Sequence, residues 1–229
     1  MIPLRDKNPS STFPFVTILL IVLNVLAFLY ELALGPELER FMYAFGIVPR
    51  LFLSGLAAHP LSPAVWIPVF SSMFLHGGFL HLVGNMLFLW IFGDNVEDRL
   101  GHFKYLIFYF AAGLAAAGAH VLMNAQSQMP SIGASGAIAG VMGAYILLYP
   151  FARVQTLIFF FIFIQVVDIP AIFFLGIWFL LQFFSGTLSL GASTYQGGGV
   201  AWWAHIGGFL VGAAAVLLIG LRRRPAWRE

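Results

Sequence analysis

The strongest constraint in this sequence is a series of apolar runs, most of them long enough to cross a lipid bilayer and nearly free of charge. At ~1.5 Å of rise per residue, a helix needs about 20 such residues to traverse a ~30 Å hydrocarbon core. Soluble domains carry roughly 25% charged residues, whereas 9% of these 229 residues are charged and 61% are hydrophobic. The chain is therefore read as an integral membrane protein. Every charged stretch is short, so a single membrane domain over residues 1–229 is expected. The net charge of +2 rests largely on Arg222, Arg223, Arg224 and Arg228. Beside a span, such a cluster reads as a topology signal and not as a nucleic-acid patch. Cysteine is absent, which removes disulfides, thiol nucleophiles and thiolate metal sites. Polar Asn8-Pro-Ser-Ser-Thr12 precedes the first run without a small-residue cleavage signal, so that run is expected to be a retained span.

The runs predict an all-α polytopic bundle of six transmembrane helices, over residues 13–34, 77–92, 103–123, 135–149, 169–188 and 200–221. Residues 36–75 mix polar and apolar groups and hold Pro49, Pro60, Pro63 and Pro68. They read as a long structured loop with short interfacial helices. The stretch 156–184 would be about 43 Å long as one helix, more than the core needs, and Asp168 and Pro170 lie in its middle. Proline in a first helical turn forfeits no hydrogen bond. The fifth span is therefore placed from residue 169, with residues 154–167 along the interface or re-entering it. A long tilted helix starting near Thr156 is the competing reading.

Lysine and arginine favour the cytoplasmic side. Six spans put Arg5, Lys7, Arg99, Lys104, Arg153 and the four terminal arginines on one side, nine of the eleven basic residues. Only Arg40 and Arg50 fall opposite, so both termini are expected in the cytoplasm. The segments 124–134 and 189–199 carry no charge. Trp66, Trp202, Trp203 and Tyr195 fall near the outer boundary, where amphipathic rings anchor membrane proteins.

Strongly polar side chains inside a span are costly and point to function. His81 and Asn85 in the second span, Ser135 opening the fourth and His205 early in the sixth all lie within the first turns of their spans. Those three spans run in the same direction, so the four residues share one depth in the outer leaflet. His81 and Asn85, four apart, project from one helix face. Ser135 stands in Gly133-Ala-Ser-Gly136, whose glycines permit a tight turn into the helix and leave backbone N–H groups accessible. Below Ser135 come Ala139 and Gly143, and below His205 come Gly208 and Gly212. Facing stripes of small residues let helices approach closely in lipid, as a Ser–His hydrogen bond requires.

Each feature has an ordinary explanation when taken alone. A serine in a membrane helix commonly bonds its own backbone, Asn85 could tie helices together, and Gly136-x-x-x-Gly140 and Gly208-x-x-x-Gly212 are packing motifs under any function. The conjunction is what carries weight. Of the other histidines, His59 and His102 read as solvated, His120 as structural and His76 as a residue at the lip of the site. Asp94, Glu97 and Asp98 fall in an inner loop and read as capping or tying groups. No His-Glu-x-x-His pattern supports metal chemistry.

These strings resemble the rhomboid intramembrane serine proteases, over essentially the whole chain. The matching segments are His81-Leu-Val-Gly-Asn85, Gly133-Ala-Ser-Gly136 and Ala204-His205-Ile-Gly-Gly208-Phe-Leu-Val-Gly212. Gly93-Asp-Asn-Val-Glu-Asp-Arg-Leu-Gly101 and Pro3-Leu-Arg-Asp6 are similar to the compact prokaryotic members. The resemblance implies a Ser135–His205 dyad without an acidic third member, and an oxyanion hole formed by His81, Asn85 and the Ser135 N–H. It implies cleavage of single-span membrane proteins, no cofactor, no nucleic-acid partner and a prokaryotic cell membrane. It also implies a fifth span able to move aside, and residues 191–199 suggest a cap. One departure is visible: many members carry adjacent Trp-Arg in the first loop, where this chain has Trp66 and a separate Arg50. The alternatives are a catalytically inactive client-binding relative, which would need neither Ser135 nor His205, and a transporter, which would need polar groups in both leaflets. Oligomeric state is not specified by the sequence.

Overall fold

A computed structural model describes residues 1–160, 163–191 and 200–221. The chain opens with strand β1 (Ile2–Asp6) and helix α1 (Phe15–Ala33). Three short helices follow, α2 (Leu38–Phe45), α3 (Pro49–Ala58) and α4 (Pro63–Ser71). Prolines sit in the first turns of α3 and α4, where the missing N–H has no helical partner to lose. Next come α5 (Phe79–Leu100), α6 (His102–Met123) and α7 (Ser135–Leu148). Strands β2 (Arg153–Phe160) and β3 (Phe163–Pro170) precede α8 (Ala171–Gly191) and α9 (Trp202–Leu218). Among the described residues, α1, α5, α6 and α8 are long and apolar enough to cross a membrane, while α7 and α9 are shorter apolar helices.

Helix α7 is the centre of the bundle, and every residue from Gly136 to Tyr145 is buried. A helix apolar on all sides must be covered on all sides, and small residues let its neighbours come close. A Cβ on Gly208 would lie 2.0 Å from the Gly136 carbonyl oxygen, and one on Gly212 would lie 1.9 Å from that of Gly140. One on Gly143 would lie 2.0 Å from the Phe209 oxygen. The α7 and α9 backbones therefore touch. On another side, Ala112 and Ala116 of α6 meet Gly140 and Gly136.

The expected all-α architecture is corrected at one end of the bundle. Residues 154–167 neither lie along an interface as helix nor extend the fifth helix back to Thr156. They form an antiparallel hairpin with β1 added, in the order β1-β2-β3. Val154 and Thr156, alternate residues of β2, are fully buried, so one face of the strand packs inward. Asp168 belongs to β3 and pairs with Lys7 at 2.8 Å, so it does not open a helix. Pro170 ends the strand, and α8 begins at Ala171.

A second correction concerns Asp94, Glu97 and Asp98, which stand on α5 because that helix continues to Leu100. Glu97 is fully buried and accepts the N–H groups of Val16 and Thr17 at 2.8 Å and the Thr17 hydroxyl at 2.7 Å. It thereby caps the unsatisfied start of α1 from another helix. His102 is not simply solvated, since its Nδ1 lies 2.6 Å from Glu97 Oε1. Nearby, Asn95 bonds Asn8 and Asp6, and the Tyr145 hydroxyl donates to Asp6. These contacts fasten the sheet to α5 and α7.

Candidate active site

Ser135 is the first residue of α7, and its approach is set by backbone. Gly133 has φ of +124°, a conformation that residues with a Cβ rarely adopt. The Gly133 N–H donates to the Ser72 carbonyl at 2.8 Å, while Ser131 and Ile47 exchange bonds of 2.8 and 3.0 Å. The connection into α7 is thus pinned to the segments flanking α2 and α4.

His205 lies in the first turn of α9, and its Nε2 is 2.7 Å from Ser135 Oγ. Its Nδ1 is 2.7 Å from Gln182 Oε1 on α8. An amide oxygen can only accept, so Nδ1 carries the proton and Nε2 accepts from the serine hydroxyl. Both His205 and Gln182 are buried. The Trp178 and Trp202 rings flank the imidazole, with centroids 5.8 and 6.3 Å away.

His81, in the first turn of α5, accepts the Gly77 N–H at Nδ1, at 3.3 Å. Its Nε2 therefore bears hydrogen. A Cβ built on Gly133 would stand 2.9 Å from that nitrogen and 3.5 Å from Ser135 Oγ, so the His81 donor and the serine oxygen border one small space. Asn85, one turn further along α5, is buried, and its Nδ2 has no hydrogen-bond partner among the described residues. Gly136, Gly140, Gly208 and Gly212 lie below, in the α7–α9 contact.

His76 is 1% exposed, its N–H donates to the Glu31 carboxylate at 3.2 Å, and its ring meets that of His81 at 5.1 Å. It lines a cavity of about 550 Å³ with Glu31, Met42, Tyr43, Gly77 and Ile132, to which neither Ser135 nor His205 contributes. Trp66 is turned to its own segment, donating to the Pro60 carbonyl at 2.8 Å. The expected cap at residues 192–199, Tyr195 and the arginines at 222–228 lie outside the described residues. Among the described residues, no three His, Cys, Asp or Glu side chains gather as a metal site would require.

Sequence reasoning missed Gln182 and Trp178. The signal was available, because Gln182 is the one amide in the run 169–188, and the rule that singled out Asn85 applies to it equally.

Fold and site together define a helical membrane protein with a serine–histidine pair held where two touching helices begin. The rhomboid domain model matches residues 63–222, which include every residue of this site, and the chain belongs to the rhomboid family. It is 33% identical over 138 residues to Rhomboid protease GluP of Bacillus subtilis (strain 168), covering 60% of this chain and 25% of that protein. It is 39% identical over 74 residues to RHOMBOID-like protein 5 of Arabidopsis thaliana, covering 32% of this chain and 24% of that protein. With Rhomboid protein 1, mitochondrial, of Saccharomyces cerevisiae it shares 28% identity over 145 residues, 61% of this chain and 38% of that one. The chain thus spans between about a quarter and two fifths of these relatives' lengths.

Proposed function

We propose that this chain is an intramembrane serine endopeptidase that cleaves single-span membrane proteins within or near their transmembrane segments. The observation that carries the reading is the 2.7 Å contact between Ser135 Oγ and His205 Nε2, with the imidazole in the tautomer that accepts a proton. As Oγ attacks a peptide carbonyl carbon, the Ser135 proton passes to His205 Nε2. The carbonyl oxygen gains negative charge and takes hydrogen bonds from His81 Nε2, Asn85 Nδ2 and the Ser135 N–H. Collapse breaks the C–N bond, and His205 returns the proton to the leaving amine. Water then attacks the acyl-enzyme, giving its proton to His205 and releasing the new carboxyl end and the serine. The sequence of steps draws on no cofactor.

The proposed topology has α1, α5, α6, α7, α8 and α9 as six crossings, with both termini cytoplasmic in a prokaryotic cell membrane. The 14 residues of α7 extend about 21 Å, less than the ~30 Å core. A helix of that length reaching the inner face leaves Ser135 below the outer one. A substrate helix must unwind to expose a carbonyl to it, so segments with small or helix-breaking residues are favoured, and outward movement of α8 would admit them. An inactive client-binding role would leave the serine–histidine contact without a use.

The test is cleavage of a single-span reporter in liposomes by the native chain and by Ser135→Ala and His205→Ala. Loss of cleavage in both folded variants supports the dyad. Cleavage surviving Ser135→Ala overturns it, and no cleavage of varied substrates by the native chain moves the reading to client binding.

A further inference from the structure

We infer that Gln182 is a positioning residue for His205, holding the imidazole in the tautomer and orientation that receive the Ser135 proton. The inference rests on the protease reading above and adds a third member, a neutral amide carried by a third helix. Other polar side chains of α8 satisfy themselves locally: Thr187 Oγ1 donates to the Phe184 carbonyl and Ser189 Oγ to that of Gly186. Gln182 instead directs its oxygen across to Nδ1 of His205, at 2.7 Å.

That bond decides which nitrogen is the base. In a buried site, an unpartnered Nδ1–H is costly. Without the amide oxygen, the ring gains by moving its proton to Nε2 and donating to Ser135 Oγ, which reverses the serine–histidine bond and leaves no acceptor for the serine proton. A carboxylate in the same place would also stabilise the imidazolium by charge; the amide orients without adding charge. Trp178, one turn before Gln182 on the same face of α8, lies against the imidazole and limits its rotation. Ser135, His205 and Gln182 sit on α7, α9 and α8, so the base is fully set only while α8 is seated against α9. Displacement of α8 would carry the amide away from the histidine.

Two substitutions separate orientation from bulk. Gln182→Met keeps the length and flexibility of the side chain but removes the strong acceptor, and Gln182→Glu keeps an acceptor oxygen. Gln182→Met is expected to lower kcat on the liposome reporter about 10–100-fold with KM within about two-fold, and Gln182→Glu to recover most of it. Nitrogen-15 NMR of histidine-labelled protein reads the tautomer directly. The His205 proton should reside on Nδ1 in the native chain and in Gln182→Glu, and move to Nε2 in Gln182→Met. A native chain that cleaves, with a folded Gln182→Met that matches it in both kcat and tautomer, overturns the inference and leaves the protease reading standing. A native chain that cleaves nothing while the tautomer still moves supports the tie and removes the protease reading.

Discussion

Replacing Gly208 by alanine tests whether the closeness of α7 and α9 is what makes the site. Gly208 lies three residues beyond His205, and a Cβ there would stand 2.0 Å from the oxygen of Gly136, the residue after Ser135. Ordinary contact begins near 3.4 Å, so the helices must part by about 1.4 Å at this level, because a close-packed interior offers no slack. Both functional side chains ride on the separating ends. The 2.7 Å Oγ–Nε2 contact would lengthen to about 4 Å, outside hydrogen-bonding range. A 1 Å misplacement of reacting groups costs ~10²-fold, so Gly208→Ala should lose ~10²-fold or more in turnover. Its overpacking should cost ~1–3 kcal/mol of stability. The assay is reporter cleavage in liposomes beside thermal unfolding of the same preparations. Gly118→Ala on α6 is the control: nothing lies within 4 Å of a Cβ there, and alanine improves a helix by up to ~1 kcal/mol. A folded Gly208→Ala enzyme working near the native rate would refute the reasoning.

Asn85→Ala and His81→Ala should each lower kcat by ~10²–10³-fold with little change in KM, as loss of one oxyanion donor does, measured in single-turnover cleavage. Gly133→Ala should abolish labelling of Ser135 by a fluorophosphonate, because its φ of +124° and its 2.9 Å distance to His81 Nε2 leave no room for a Cβ. Glu97→Gln should lower stability by ~1.5–3 kcal/mol in thermal unfolding and spare activity per folded molecule, since it disrupts the charged cap on α1 far from Ser135. Burial pushes the Asp6 carboxyl up from 3.8 to about 7, nearby Asp94 adds repulsion, and the Tyr145 hydrogen bond opposes both. The folded state therefore binds this proton more tightly than the unfolded state. Its contribution is fully present below about pH 4 and is lost as pH rises to about 7, so the native chain should melt lower at pH 8 than at pH 5, and Asp6→Asn should flatten that difference.

The site was legible because lipid makes polarity conspicuous. Against uninterrupted apolar runs, His81, Asn85, Ser135 and His205 stand out, and a common helix direction placed them together before any coordinates. The stripes Gly136, Gly140, Gly208 and Gly212 were legible for the same reason, because small residues spaced by four have few other uses in a membrane helix. The sheet was hidden by that apolar background. The run Leu157-Ile-Phe-Phe-Phe-Ile-Phe-Ile164 is apolar at every position, so a period of two cannot be told from a period of 3.6. Its partner β1 lies about 150 residues away in sequence, and β1 holds Pro3, which an edge strand tolerates but a local reading counts against a strand. The extension of α5 to Leu100 was masked by the charges of Asp94, Glu97 and Asp98, which resemble a loop until Glu97 is seen to be buried as the cap of α1. Gln182 was lost differently: attention to groups near the starts of spans two, four and six passed over a span running the other way.

A buried polar cluster in a lipid-embedded bundle must satisfy its own hydrogen bonds, because each unmet donor costs ~1–3 kcal/mol. The chain Ser135 to His205 to Gln182 meets this demand in series, each donor having an acceptor at 2.7 Å. Asn85 departs from it, with a buried Nδ2 that bonds nothing among the described residues. A stapling asparagine would have spent that donor on a neighbouring helix. Leaving it unspent one turn from His81 keeps a hydrogen bond in reserve for an oxygen that arrives with the substrate and strengthens as negative charge builds on it. The cost is borne by the resting enzyme and recovered in the transition state, where it accelerates the reaction. On this argument the polar atoms of the site divide by whether the resting structure satisfies them: those that are satisfied orient the base, and the Asn85 donor that is not waits for the reaction.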